Sequence, residues 1–387
     1  MDVYDDRFYG ITRRLMSSLG LWPYQNPRYR KLLSVFVSIV YIQGLIFQYT
    51  TFITHQFSAK LFIEMMSFNS LLILFIIKYN TVYLNSTNVK LLLEQISYDF
   101  IAITDTQEIE IIQKYASKGR QYTVYSGLFI YIATAFFILT LFIPDILNLV
   151  MPLDKPRPRL LPTPVECFFD EQRYFYAIVS DMAVIAMVGM TTFIATETMF
   201  MIFIQHACGL FAIASYRITQ AFDDCKDNSV IDAKLSHAVK IHRRSLQFIE
   251  FMNSCFAVSY MVLVIVGVIS LSINMLRLFQ ALENNIFAEI LASGVYVLCH
   301  FCYMFWVNYF GQYLSDHSQS IFEETYSAQW YMAPLRIRKL LLIIMQRSTK
   351  TSTFNVFSGI LIASMEGFAS IISLSVSYFT VLYSLRM

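Results

Sequence analysis

The sequence predicts an all-α membrane protein with seven transmembrane helices, a cytoplasmic N-terminus and an extracellular C-terminus. Seven apolar stretches each approach or exceed the ~20 residues that cross a hydrocarbon core. Of the 387 residues, 56% are hydrophobic and only 14% are charged, which is typical of a membrane protein. In addition, 22 of the 29 Lys and Arg residues fall in the alternate gaps that this orientation places in the cytoplasm, the side on which such cations are retained.

The elements follow in chain order. The N-terminal arm, residues 1–31, lacks a short apolar core followed by a cleavage site, so we expect a cytoplasmic arm rather than a signal peptide. No internal repeat is visible, and the chain, residues 1–387, is predicted as one domain. Its apolar stretches run over residues 32–54, 61–83, 121–143, 174–204, 251–276, 286–310 and 352–385.

The connections differ on the two sides of the membrane. The outer connection 144–173 carries six of the nine prolines and cannot be one continuous helix, because each interior Pro removes a donor and clashes with the preceding turn. It is either a structured lid or a loose spacer. On the cytoplasmic side, residues 107–120 and 232–250 place apolar residues at three- and four-residue spacing. Helices four, five and six are therefore expected to project beyond the bilayer.

Composition and motifs exclude several other classes. A net charge of +2 without a basic patch argues against nucleic acid, and we find no reactive cluster that would indicate an enzyme or a cofactor. Cys299 and Cys302 have helical i, i+3 spacing but lack further soft ligands, so no metal site is expected. Charged residues inside apolar stretches are costly in lipid and mark candidate functional positions; they are Glu64, Asp181, Glu197 and Glu366.

The last apolar stretch carries a stripe at four-residue spacing, formed by Ser373, Ser377, Val381 and Leu385. Hydroxyl groups followed by apolar side chains suit a water-filled pore that a hydrophobic constriction closes by dewetting. Small residues at such positions also let helices pack closely. Periodicity alone leaves both interpretations open.

The C-terminal third resembles the signature of insect odorant receptors. The Gly-Leu-Trp-Pro-Tyr segment, residues 20–24, is similar to the segment before that family's first span, and the length, span number and orientation also agree. The residues that carry the C-terminal resemblance are Trp330, Tyr331, Pro334, Arg336, Lys339, Leu340 to Ser348, Ser364, Met365, Glu366, Phe368 and Ser377 to Leu382.

This resemblance implies one subunit of a tetrameric, odorant-gated, non-selective cation channel in the plasma membrane of olfactory sensory neurons. In that family a variable odorant-binding subunit assembles with a shared co-receptor. The co-receptor's long insertion between spans four and five has no counterpart here between Gln205 and Glu250, so the chain resembles the variable subunits. The implied partners are the co-receptor, a volatile or lipid-like odorant, cations and membrane lipid.

The resemblance also implies roles for particular regions. Residues 352–387 would form the pore-lining helix, with Val381 and Leu385 at the family's gate positions, which coincide with the stripe described above. Regions 205–250 and 311–351 would be cytoplasmic anchors between subunits, with Trp330 and Tyr331 at the interface. The implied ligand pocket lies in the outer half of the membrane; its candidate residues are Met65, Phe68, Asn69, Leu72, Thr134, Phe137, Ile138, Met182, Ile185, Ala186, Ser293 and Tyr296.

Two receptor classes are the alternatives. A gustatory receptor-like channel is the nearer one, but its C-terminal Thr-Tyr-x-x-x-x-x-Gln-Phe pattern is missing, since Ser377 and Tyr378 are followed by Ser384 and Leu385. A G-protein-coupled receptor would have the opposite orientation. Its third span would also carry a Cys that this sequence lacks.

Overall fold

The chain is α-helical almost throughout, in a computed structural model that describes residues 7–54, 58–151, 157, 159, 161, 173–223, 228–328, 330–356 and 361–386. This confirms the all-α prediction. The elements are α1 (Gly10–Ser18), α2 (Pro27–Thr54), α3 (Ala59–Leu84), α4 (Ser86–Ala102), α5 (Thr106–Thr140), α6 (Ile143–Val150), α7 (Phe175–Asp223), α8 (Asn228–Glu283), α9 (Phe287–Ser327), a 3-10 turn (Trp330–Met332), α10 (Leu335–Ser348), β1 (Asn355–Val356), β2 (Leu361–Ile362) and α11 (Met365–Arg386).

Seven of the helices in the described part of the chain are long and apolar enough to cross a membrane: α2, α3, α5, α7, α8, α9 and α11. Each overlaps one of the predicted apolar stretches. Helices α7, α8 and α9 have 49, 56 and 41 residues, far more than the ~20 that a span requires. At ~1.5 Å per residue, α8 alone is on the order of 80 Å long. Spans four, five and six therefore extend well beyond a bilayer, as the sequence predicted.

Helix boundaries follow from local signals. Ser58 accepts a hydrogen bond from Leu61 N at the start of α3, and Asp105 accepts from the first backbone amides of α5, so both cap orphan donors. Between α1 and α2 the chain turns at Gly20, whose φ is +71°. A Cβ there would lie 2.8 Å from the Arg30 carbonyl oxygen, so this turn requires glycine.

Helix α7 is the centre of the bundle and packs against α1, α2, α3, α5, α8 and α9. Phe203, Ile204, Ala207, Cys208 and Phe211 in its second half are completely buried. A helix segment this deeply buried is expected at the centre of a helical bundle. The core therefore continues along α7 beyond the predicted span, residues 174–204.

The last helix begins at Met365, whereas the sequence predicted a helix from residue 352. Part of the intervening segment is an antiparallel pair, in which Asn355 faces Ile362 and Val356 faces Leu361. Phe354, just before it, is buried against Phe200 and Tyr260. A short apolar run has the same composition in a buried strand as in a helix, so hydropathy could not separate them.

The proline-rich outer connection is described only in part. Its first residues form α6, with Pro144 in the first helical turn, where a missing N–H costs nothing. Arg159 donates to Asp145 at 2.9 Å and to the Tyr176 hydroxyl at 3.0 Å, which joins the loop to the start of α7. The predicted lid, 144–173, otherwise falls mostly outside the described residues.

Candidate functional site

An aromatic pair joins two of the predicted pocket residues across α3 and α9. The rings of Phe68 and Tyr296 meet edge to face with centroids 5.2 Å apart. The guanidinium carbon of Arg277, from α8, lies 5.3 Å from the Phe68 ring centre. Residues of three helices therefore meet at this pair. Two aromatic rings beside one charged group are the kind of lining expected of a small-molecule site.

A second group of predicted residues lies beside Phe68 on α3. Met65, Asn69 and Leu72 are buried and follow the i, i+4, i+7 spacing of one helix face. A Cβ at Gly44 would lie 3.2 Å from Leu72 and 3.4 Å from Ile185, so α2 contributes a close contact that the sequence did not predict. The side-chain oxygen and nitrogen of Asn69 are buried and have no hydrogen-bond partner among the described residues.

The remaining pocket candidates are less clearly directed toward a ligand. The Thr134 hydroxyl donates to the Ile130 carbonyl oxygen and the Ser293 hydroxyl to that of Glu289, each within its own helix, so neither needs a ligand. Phe137 is 43% exposed on the outer surface of α5, which places it toward lipid or a neighbouring subunit. The last three of these candidates, Ile138, Met182 and Ala186, are partly exposed.

A hydrogen-bonded polar network lies beside the aromatic pair, and sequence reasoning missed it. The Ser67 hydroxyl donates to Asn274 Oδ1 at 2.6 Å, and the Ser270 hydroxyl donates to the Ser70 hydroxyl at 2.6 Å. Ser270 also lies 2.6 Å from His300 Nε2. Polar residues at 270, 274 and 277 have i, i+4, i+7 spacing. That spacing was the available signal, since it places them on one face of an apolar helix.

A buried ion pair lies deeper in the bundle. The Lys78 ammonium of α3 contacts the Glu197 carboxylate of α7 and lies over the rings of Phe193 and Tyr303. Lys78 is one of the 22 cations that the predicted orientation assigns to cytoplasmic gaps, but it lies within α3 and its side chain is buried in the bundle. Tyr303 also lines a cavity of about 20 Å³ between α8, α9 and α11, room for about one water. The Glu197 charge predicted to be functional is therefore compensated internally.

The other charged residues singled out in the apolar stretches lie at accessible positions. Glu64 pairs with Lys60 at 3.7 Å, and Asp181 accepts a hydrogen bond from Gln43 at 2.7 Å. Glu366 is exposed in the first turn of α11, where the helix dipole favours a negative charge.

The predicted stripe on α11 forms one exposed face of the helix. Val381 is 55% exposed and Leu385 79%, and Ser373 and Ser377 are also exposed. The opposite face, which includes Ser375, packs against α8: the Ser375 carbonyl oxygen accepts from Ser272 at 2.9 Å, and the rings of Phe379 and Phe279 lie 5.2 Å apart. The stripe therefore points away from the bundle, so packing within the subunit does not account for it.

The two predicted interface residues differ in burial. Trp330 packs partly against the chain's own core, whereas Tyr331 is 61% exposed. Helix α10 buries Ile337, Leu341 and Ile344 against the chain and exposes Leu342 and Ile343 on its other side. An exposed apolar face on a helix of 14 residues, too short to span, fits a protein contact.

Tyr331→Ala should weaken assembly, because aromatic side chains at the centre of an interface contribute most to its free energy. We expect co-purification with a partner subunit to fall about tenfold or more. Tyr29→Ala, at an exposed tyrosine near the start of α2, is the matched control. Equal recovery of both variants in a pull-down of surface-labelled complexes would remove Tyr331 from the interface.

Ion pairs and hydrogen bonds join α4, α5, α7 and α8 to one another. The Asp99 carboxylate of α4 contacts both His206 of α7 and Arg244 of α8. Arg217 donates to Glu108 through two hydrogen bonds of 2.5 and 2.7 Å, a bidentate geometry that is among the strongest ionic contacts. Burial, with a smaller effect from Arg347, lowers the pKa of His242 to about 4, which keeps this ring neutral at neutral pH.

The comparisons with known proteins agree with one another. The sequence model of the 7tm odorant receptor family matches residues 58–376. Odorant receptor 33b of Drosophila melanogaster is 26% identical over 153 residues, 40% of each chain. The odorant receptor coreceptor of Ooceraea biroi is 24% identical over 162 residues, 42% of this chain and 33% of that protein. The matched stretches thus span less than half of these relatives.

Solved structures share the fold over its whole length. The olfactory receptor OR5 of Machilis hrabei in complex with eugenol superposes with a TM-score of 0.78, at 14% identity, and covers 99% of this chain and 100% of that one. Another structure of the same receptor gives a TM-score of 0.72 at 13% identity, covering 98% and 99%. Taken with the family match over most of its length, this shows that the chain is a multi-pass membrane protein that belongs to the 7tm odorant receptor family.

Proposed function

We propose that this chain is the variable, odorant-binding subunit of an odorant-gated, non-selective cation channel in the plasma membrane of olfactory sensory neurons. The observation that carries the proposal is the exposed stripe on α11, with hydroxyl groups followed by Val381 and Leu385. Side chains of this order suit a pore with a hydrophobic gate. Family membership and the converging Phe68 and Tyr296 rings support the same function.

The proposal includes assembly into a tetramer with a shared co-receptor. A single α11 helix cannot enclose a pore, so other subunits must supply the remaining walls, and a cyclic arrangement closes such an assembly. The exposed apolar face of α10 is the proposed contact. The similarity to a co-receptor supports a partnership with one. The short connection between α7 and α8 supports the role of the variable subunit rather than that of the co-receptor.

Whole-cell recording tests this function directly. We expect members of a panel of volatiles to evoke inward cation current in cells that express the chain together with a co-receptor, and smaller or no current when either subunit is absent. G-protein inhibitors should leave the fast current unchanged. Surface expression of both subunits without any odorant-evoked current would contradict the proposal.

The proposed orientation predicts that Asn85 carries no glycan, although Asn85-Ser86-Thr87 matches the acceptor pattern. Asn85 ends α3 on the side that the cation count assigns to the cytoplasm, away from the glycosylation machinery. A mobility shift on glycosidase treatment that Asn85→Gln abolishes would reverse the orientation. The channel assignment would then have to be reconsidered.

Aromatic truncation in the proposed pocket should change odorant tuning. Phe68→Ala and Tyr296→Ala each remove a ring of the edge-to-face pair, at a cost of ~1 to 3 kcal/mol for ligands that contact it, or about fivefold to a hundredfold in affinity. Because the lost area depends on ligand shape, potencies should fall unevenly across the panel. Phe136→Ala, on the exposed surface of α5, is the control; an unchanged tuning profile in both pocket variants would show that the pocket is misplaced.

A further inference from the structure

Arg277 is a buried arginine at the edge of the proposed pocket. The residue lies about one and a half turns before the end of α8, and it is one of the seven Lys and Arg residues outside the 22 that the predicted orientation assigns to the cytoplasm. Its side chain is only 7% exposed. Rather than pointing along the helix toward water, it reaches across to α3, where Nη1 donates to the Ser67 hydroxyl at 3.2 Å and the guanidinium lies over the Phe68 ring.

The charge of Arg277 has no protein counter-ion among the described residues. None of their carboxylates lies within 4 Å of the guanidinium. Arginine stays protonated in proteins, so the buried charge is real and costly unless something compensates it. Lys78, the other Lys or Arg that is buried among the described residues, is paired with Glu197. Arg277 lacks such a partner although it is buried to the same extent.

One edge of the guanidinium carries a donor without a hydrogen-bond partner in the described part of the chain. Nε is buried and has no hydrogen-bond partner among the described residues, and the hydrogen bond to Ser67 uses Nη1. Nε and Nη2 point the same way and form a planar fork, which matches the two oxygens of a carboxylate. The neighbouring hydroxyl and amide groups of Ser67 and Asn274 are already bonded to each other. Among Ser67, Asn274 and Arg277, the donor without a partner therefore belongs to the cationic guanidinium of Arg277.

We propose that Arg277 is the anion-binding group of the ligand pocket and that this receptor's ligands include volatile carboxylic acids, bound as carboxylates. The inference rests on the proposed function, and it assigns that site a ligand class. The carboxylate accepts from the Nε–Nη2 edge, while the hydrocarbon chain packs against Phe68 and Tyr296. Arg277 itself stacks on Phe68, so the charged end and the apolar wall of the site adjoin.

Dose–response recordings with matched ligands test the proposal. The probes are hexanoic and octanoic acid, their methyl esters, and hexanol and octanol, applied to cells that express the chain with a co-receptor. The variants are Arg277→Gln, which removes the charge, and Arg277→Lys, which keeps it without the fork. Arg120→Gln changes an exposed arginine on α5 as the matched control, and surface labelling corrects for expression.

We expect the acids to activate the unmodified receptor at lower concentrations than their methyl esters. Arg277→Gln should weaken the acids by about tenfold to a hundredfold, the range of a charged hydrogen bond, and leave the alcohols near their original potency. Arg277→Lys should recover part of the loss. Equal shifts for acids, esters and alcohols would overturn the proposal in favour of a structural arginine.

Two further outcomes distinguish failure of the proposed ligand class from failure of the proposed channel function. Currents evoked by the neutral volatiles, with no response to either acid, would overturn the ligand class and leave the channel function standing. No current from any volatile, with both subunits at the surface, would overturn the proposed function and the ligand class together.

Discussion

Replacing Val381 with Ser should raise the current that flows without odorant. The Val381 side chain lies on the exposed face of α11 next to Leu385, and a narrow apolar ring blocks ions because they cannot keep their hydration there. A hydroxyl in this ring lowers the dewetting barrier by about 1 kcal/mol, or about fivefold in a rate. The measurement is whole-cell basal current normalised to surface expression.

Val376→Ser is the matched control for this experiment. It makes the same chemical change on the same helix, but Val376 lies about 140° around α11 from Val381. We expect its basal current to equal that of the unmodified channel, and Leu385→Ser to behave like Val381→Ser. Equal basal currents in all three variants would remove the stripe from the pore.

Breaking the buried ion pair should have the largest effect on stability. Lys78→Met leaves the Glu197 carboxylate without its partner inside the bundle, and such an uncompensated charge costs about 3 to 5 kcal/mol. We expect most of the variant to stay off the cell surface. The detergent-solubilised protein should also unfold at a lower temperature.

The double variant Lys78→Met with Glu197→Leu decides whether charge is the cause. Removing both charges eliminates the desolvation cost, so surface expression should recover to near the unmodified level. The control is Lys90→Met, which breaks an exposed i, i+4 pair with Glu94 and should cost under ~1 kcal/mol. A double variant as unstable as Lys78→Met would mean that packing, rather than charge, requires the lysine.

The spans and their extensions were predictable because hydropathy and cation placement act along one helix at a time. The length of α8 follows from its own residues, and so does the stripe on α11, since both depend on spacing alone. The start of α11 was not predictable. Phe354 is buried against α7 and α8 before the helix begins, and a short apolar run has the same composition in a buried strand as in a helix.

The other features that the sequence did not predict are contacts between residues of different helices. The sequence shows Lys78 and Arg277 only as cations near the ends of apolar stretches. The contact of Lys78 with Glu197 and that of Arg277 with the Phe68 ring depend on how the helices pack. The contact of Gly44 with Leu72 and Ile185 depends on how closely α2 approaches α3 and α7. Only the family resemblance assigned Phe68 and Tyr296 to one pocket, and the contact between their rings was not predicted. Neither residue alone differs from ordinary apolar packing.

The most direct test of the account is the accessibility of Val381→Cys to a membrane-impermeant thiol reagent, measured as the rate of irreversible current change with and without odorant. If odorant opens a pore lined by α11, the reagent should react faster in the presence of odorant, while Val376→Cys and the unmodified channel stay unaffected. Reaction at Val381→Cys that is absent, or equally fast with and without odorant, would contradict an odorant-opened gate at this position.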